Sequence, residues 1–276
     1  MINWVRRALQ GGVDAKTVIP FSESDLRQYI QTNRASLAMI DNWIDDQAFA
    51  ASYFNYGVPD FIRDKINKPI GNTITYTDLM LYIADKHFAG EKINYLEIGV
   101  SVGKNFFQML NAPGKADLTC FDIEEINPVL ERRLEYTGKT EWDTPAGSIK
   151  KNQSSMRSYR FGEKKVAYLS GDVWDTNSWA RLENGRFNIV FSDALHSPEA
   201  ILFEFEMLVK YNLTGDRFVI VWDDLEGKMK NAFYKIVRKY HEKFNIRDIY
   251  LLQVNGWIGE NERPHSVGII SNFALG

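Results

Sequence analysis

Cysteine is almost missing from this 276-residue chain: the one thiol, Cys120, has no second to pair with, which excludes an internal disulfide framework. It sits inside the apolar run Leu118 to Ile123, the pattern of a buried strand, and a reducing, cytoplasmic compartment is the expectation. No segment reaches about eighteen uninterrupted apolar residues, so no membrane span and a soluble protein are expected. Arg6 and Arg7 near the start lack the apolar stretch of a signal peptide, which leaves room only for an amphipathic first helix. A long basic tract is also missing, and 36 acidic against 33 basic residues give a net charge of -3, so nucleic acid is not an expected partner. Internal repeats and low-complexity tracts are absent as well.

What is present is enough apolar material for one large domain, or a domain with an appendage: 45% of the residues are hydrophobic. Residues 1–90 read as a helical N-terminal extension serving an acceptor or as an oligomer contact. Ser22, Ser24 or Asp25 can start a helix whose apolar positions recur at Tyr29, Leu37, Ile40, Trp43 and Ile44. A second helix runs from Tyr76 to Phe88 behind Thr75 or Thr77. Near Gly90 the period changes. Residues 91–276 alternate short apolar runs with helical spans, as βαβ units of a mostly parallel sheet do. The runs are Ile93–Ile98, Leu118–Ile123, Val166–Leu169, Phe187–Phe191 and Arg217–Trp222, and Ile249–Val254 with Val267–Ile270 read as a terminal antiparallel hairpin. The polar connection 127–165 reads in part as an insertion over a ligand face.

The most specific stretch is Tyr95-Leu96-Glu97-Ile98-Gly99-Val100-Ser101-Val102-Gly103-Lys104, a strand emptying into a glycine turn and then a helix. Two chemistries compete for it. Gly-x-Ser-x-Gly also spells a nucleophile elbow, with Ser101 as nucleophile and Asp223 and His265 completing a triad in the usual chain order. Against that, the turn follows the first strand of the sheet, where hydrolases of this type place several strands earlier. The cofactor reading absorbs more residues: Glu97, Gly99, Ser101 and Gly103 form the cradle, and Asp122, about twenty residues on, can accept both hydrogen bonds of a ribose diol. Asp172 and Trp174, after the third run, can meet the amino group and the face of an adenine. The spacing departs from Gly-x-Gly-x-x-Gly, which disfavours a dinucleotide.

Leu96–Gly103, Phe121-Asp122-Ile123, Ser192-Asp193-Ala194-Leu195-His196 and Val221-Trp222-Asp223-Asp224 resemble the class I S-adenosylmethionine-dependent methyltransferases. They are most similar to the metal-dependent branch that methylates sugar hydroxyls of macrolide and aminocoumarin antibiotics. The resemblance spans about residues 91–225, and the Ser170–Trp174 segment follows that branch only in part. It implies a Rossmann-like α/β fold with a terminal antiparallel hairpin, S-adenosyl-L-methionine on Asp122, and Mg2+ on Asp193, Asp223 and Asp224.

Independently of the resemblance, Asp193 and the Asp223-Asp224 pair follow apolar runs and so fall on one rim of a parallel sheet. Crowded carboxylates repel, and a hard divalent cation removes that cost. Capping the helices that follow, or pairing with Lys228 and Lys230, is the alternative. An ion there would bind vicinal oxygens of an acceptor and lower the pKa of the reacting hydroxyl, with His196 as base and His265 as its rival. His87 reads as structural and His241 as exposed. The expected activity is Mg2+-dependent O-methylation of a small polyhydroxylated acceptor such as a sugar or glycoside. A homo-oligomer is left open. The alternatives are a metal-independent methyltransferase, a cofactor-binding interaction protein without turnover, and the serine hydrolase.

Overall fold

The computed structural model describes residues 14–149, 153–261 and 264–276. The segment carrying Arg6 and Arg7 lies outside them. A nine-stranded sheet organises the described residues, built from β1 (Ile93–Ile98), β2 (Ala116–Asp122), β3 (Glu135–Trp142), β4 (Ser154–Phe161), β5 (Lys164–Ser170), β6 (Phe187–Ser192), β7 (Thr214–Trp222), β8 (Asp248–Asn255) and β9 (Pro264–Ser271). Their order across the sheet is β3-β4-β5-β2-β1-β6-β7-β9-β8. The five from β5 to β7 are parallel and β9 is antiparallel between β7 and β8. This is the Rossmann-like sheet with a terminal antiparallel hairpin.

The connection 127–165 is more regular than its composition suggests. After a short helix Pro128–Glu131, β3 and β4 form an antiparallel hairpin that extends the sheet beyond β5. The exposed pattern of β3 hid it: on an edge strand neither face is fully covered, so its polar residues carry no apolar alternation to read.

Helices cover both faces. In the N-terminal region α1 (Glu23–Leu37) is capped by Ser22 and α2 (Asp46–Ala51) by Asp45; α3 (Asp60–Arg63) is a single turn, and α4 (Tyr76–His87) is capped by Thr75. The first helix ends earlier than its periodicity predicts. Ile40, Trp43 and Ile44 are buried in the following loop, where Trp43 N–H donates to Asn67 Oδ1 at 2.8 Å. Between strands lie α5 (Lys104–Met109), α6 (Pro128–Glu131), α7 (Thr176–Ala180), α8 (Pro198–Lys210) and α9 (Lys228–Tyr240). Leu26, Tyr29, Leu79 and Ile83 from the leader share one continuous hydrophobic cluster with Phe106, Tyr95 and Ile189 of the sheet core. Polar ties reinforce that packing: Arg34 pairs with buried Asp78 at 2.9 Å, and the Lys104 ammonium donates to the Ile66 carbonyl at 2.8 Å. Cys120 is fully buried in β2 and His87 packs on Phe273, while His241 is exposed.

Candidate functional site

The sheet reverses its winding between β1 and β6, and a crevice opens where their carboxyl ends part, the usual ligand position in such sheets. Backbone hydrogen bonds align the strand ends there: Gly99 N–H to the Phe121 carbonyl, Asp193 N–H to Ile98, Asp223 N–H to Ser192 and Leu225 N–H to Ser266, at 2.8, 2.7, 3.1 and 2.7 Å. That ladder places Asp122, Gly99, Asp193, Asp223 and His265 side by side along one edge. Because β9 runs antiparallel, its first residues arrive at the same rim as the last residues of the parallel strands.

A cavity of about 790 Å³ occupies this edge, a size that suits small-molecule ligands. Gly99, Ser101, Asp122 and Asp172 line one part of it, and Asp193, His196, Asp223, Asp224 and His265 another. Phe54, Tyr56, Phe61 and Ile62 from the leader, with Trp257 and Ile258 from the hairpin loop, give it an apolar wall. Those six carry no motif, and only the fold brings them in.

The glycine turn is shaped as its sequence requires. Gly99 has φ +82°, and a Cβ there would run into the Asp193 carbonyl and the Ala194 backbone. Gly99→Ala is therefore expected to cost at least about 2 kcal/mol, a left-handed penalty of about 1–2 kcal/mol plus a backbone clash, read as a lowered urea midpoint. An unchanged midpoint would show that the strand ends can separate. Gly103, φ +88°, caps α5 against Leu130 and does not line the cavity.

Asp122 stands between the turn and the loop after β2. Its Oδ2 accepts from Val100 and Ser101 N–H at 2.6 and 3.0 Å, and Oδ1 from Glu124 N–H at 2.8 Å. Burial raises its pKa, and these three amides work against that rise. Glu124, unremarked in the sequence although it stands two residues beyond Asp122, also lines the cavity; its Oε1 accepts from the Ser52 hydroxyl and Phe54 N–H at 2.5 Å each. Asp172 accepts from Ser148 Oγ, Ile149 N–H and Trp174 N–H at 2.9, 3.1 and 2.9 Å, so the 127–165 connection reaches the cavity through Ile149.

Besides Gly103, two sequence candidates stand apart from the cavity. Glu97 is buried beneath the turn, accepting from Tyr95 OH at 2.6 Å and Asn105 Nδ2 at 2.8 Å, and burial holds its pKa well above the usual range. Trp174 packs on Phe203, ring centroids 5.0 Å apart, with Val173 taking the lining position. Ser101, at φ +54°, donates to the Tyr56 carbonyl at 2.5 Å and makes no hydrogen bond to either histidine among the described residues.

On the other side of the cavity, carboxylates and imidazoles alternate. Asp193 Oδ1 lies 3.0 Å from His196 Nε2, His196 Nδ1 lies 3.3 Å from Asp224 Oδ2, and His265 Nδ1 lies 3.3 Å from Asp224 Oδ1 and 2.8 Å from Asp223 Oδ2. The tightest group able to hold an ion is Asp223, Asp224 and His265, whose ligand atoms lie within 4.8 Å of one another. Asp193 joins them through His196 rather than directly. Burial and the Asp223 charge push Asp193 up to about 7. The Asp193 hydrogen bond lifts His196 to about 9; burial lowers His265, but the bonds to Asp223 and Asp224 outweigh it and bring it to about 10. The two histidine shifts record negative charge on the rim. Asp223 Oδ1 is buried with no hydrogen-bond partner among the described residues, an open acceptor. Oxygen-rich donors, an imidazole, crowded negative charge and an open buried oxygen together fit a divalent cation.

No protein-family model and no curated protein matches the sequence. Solved structures of similar shape do. MycE methyltransferase from the mycinamycin biosynthetic pathway, in complex with Mg, SAH and mycinamycin VI, matches 77% of this chain and 53% of its own at 12% identity and a TM-score of 0.46. SAH-bound methyltransferase PaMTH1 from Podospora anserina matches 92% and 98% at 13% identity and 0.37, and CurJ carbon methyltransferase matches 91% and 68% at 11% and 0.42. The chain spans about half the length of the MycE chains it matches. In strand order, in the position of its glycine turn and in its terminal hairpin, the described chain is a Rossmann-like α/β sheet of the kind that the sequence resemblance implies.

Proposed function

We propose that this protein is a Mg2+-dependent O-methyltransferase that moves the methyl group of S-adenosyl-L-methionine to a hydroxyl of a sugar or another small polyhydroxylated metabolite. The observation that carries the reading is the shared cavity: a glycine turn with Asp122 on one side, and on the other an acidic rim with an open buried oxygen. Gly99, Ser101, Asp122 and Asp172 would hold the cofactor. Asp223, Asp224 and His265 would hold the ion, with Asp193 beside them.

A bound Mg2+ would supply positive charge that lowers the pKa of a coordinated hydroxyl. The rest falls to the chain's own groups. Asp193 and Asp224 hold His196 protonated at the mouth of the cavity; with the charge of Asp224 taken up by a cation, its Nδ1 would be released to take the acceptor's proton. The apolar wall of Phe54, Phe61, Ile62 and Trp257 excludes water and orients the acceptor toward the turn, the positioning that a one-step displacement needs. Since the leader supplies much of that wall, residues 1–90 are proposed as the acceptor side and 91–276 as the catalytic core.

Radiolabelled methyl transfer to a panel of glycosides and polyols, with and without EDTA, tests the reading. Transfer is expected with Mg2+ and is expected to fall at least about 10²-fold on chelation. Undiminished transfer in EDTA would support a metal-independent enzyme instead. Ser101→Ala is expected to leave the protein without loss of any esterase activity, since nothing aligns Ser101 with a base; rapid phosphonate labelling of Ser101 would establish the hydrolase.

A further inference from the structure

Tyr76 is the first residue of α4, and the leader delivers it directly behind the rim. Its ring meets His265 edge-on at 6.1 Å between centroids and lies against Phe191 at 4.8 Å. The residue is completely buried, yet its hydroxyl has no hydrogen-bond partner among the described residues. That is costly, and phenylalanine would fill the same volume without the penalty. The placement is also firm. Thr75, the cap of α4, is held by Asp78, which is fixed by Asn33 at 2.7 Å and Arg34 at 2.9 Å, and Asn255 N–H donates to the Ile74 carbonyl at 3.2 Å. A side chain pinned this well and still unsatisfied calls for a partner the protein itself does not provide.

Among the described residues, the rim offers one. Asp223 Oδ1 is the complementary orphan, a buried acceptor without a donor, on the carboxylate whose other oxygen already serves His265. Among charged groups, Asp223 acts most strongly on the Tyr76 phenol, ahead of Asp193, Glu97 and Asp224. Resting on the metal reading above, we propose that Tyr76 is a positioning residue for the cation site: once the ion is bound, its hydroxyl donates through one water to the second lone pair of Asp223 Oδ1 and holds that carboxylate turned toward the ion. Such outer partners of metal ligands typically set affinity by about 10–100-fold.

Calorimetric titration of MgCl2 into wild type and Tyr76→Phe, with melting of both in the absence of metal, tests this. The expected result is Mg2+ binding about 10–100-fold weaker in Y76F, with a metal-free Tm equal to or above that of wild type, because the variant sheds an unsatisfied buried hydroxyl. Equal affinities in the two proteins would overturn the role of Tyr76 and leave the metal reading standing. A wild type that takes up no Mg2+ would overturn both. A lower metal-free Tm in Y76F would mean that the hydroxyl is engaged within the folded chain, and would overturn the proposal too.

Discussion

Asp224→Asn is expected to abolish measurable Mg2+ uptake and to lower methyl transfer at least about 10²-fold while leaving the fold intact. The backbone makes this substitution clean. Asp224 sits at φ +49°, a left-handed conformation that asparagine tolerates nearly as well as aspartate, so only the charge changes. Removing it takes one carboxylate from the Asp223-Asp224-His265 group and one partner from His196. Calorimetry with MgCl2, beside circular dichroism to confirm the fold, gives the measurement. Transfer that survives both Asp224→Asn and EDTA would end the metal-dependent reading.

The second large effect concerns stability rather than turnover. Glu204 of α8 is buried behind the rim, where its Oε2 accepts from Ser192 Oγ at 2.6 Å and its Oε1 has no partner among the described residues. Burial raises its pKa from 4.5 to about 8. The folded protein therefore keeps a proton that the unfolded chain releases above pH 4.5, and stability falls as pH rises between these two values. Glu204→Gln, which cannot titrate, removes this slope. The difference between wild type and variant is expected to change by up to about 5 kcal/mol over the window, at about 1.4 kcal/mol per pH unit. Urea denaturation at pH 5, 6, 7 and 8 measures it, and parallel profiles would show that Glu204 is ionised in the folded state.

Much of the sheet was legible because its central strands are continuous apolar runs between turn signals, and burial on both faces imposes that pattern. The rim was legible for the same reason: residues that end such strands share an edge, so Asp193, Asp223 and Asp224 could be grouped from their positions alone. The edge hairpin β3–β4 was not, since its pairing depends on backbone hydrogen bonds that leave little trace in side-chain type. The end of the first helix at Leu37 was also hidden, as Ile40, Trp43 and Ile44 keep a helical spacing while filling the core from a loop. The apolar wall and Tyr76 come from segments far from the motifs, and only tertiary packing relates them to the cavity. Glu97 shows the limit of motif logic: the letter fits a ligand contact, but the side chain turns under the loop into a network with Tyr95 and Asn105.

The threading of β9 between β7 and β8 has a consequence for biogenesis. His265 reaches the acids only when that last strand inserts, so a nascent chain still short of it lacks the imidazole that Asp223 accepts from and keeps His196 beside Asp193 and Asp224. Joining β9 to β7 closes a loop of some forty residues, a non-local contact of the kind that forms slowly. If the proposed cation site holds, its last ligand arrives at the end of folding, and ion uptake by ribosome-stalled intermediates of graded length would time the completion of the sheet.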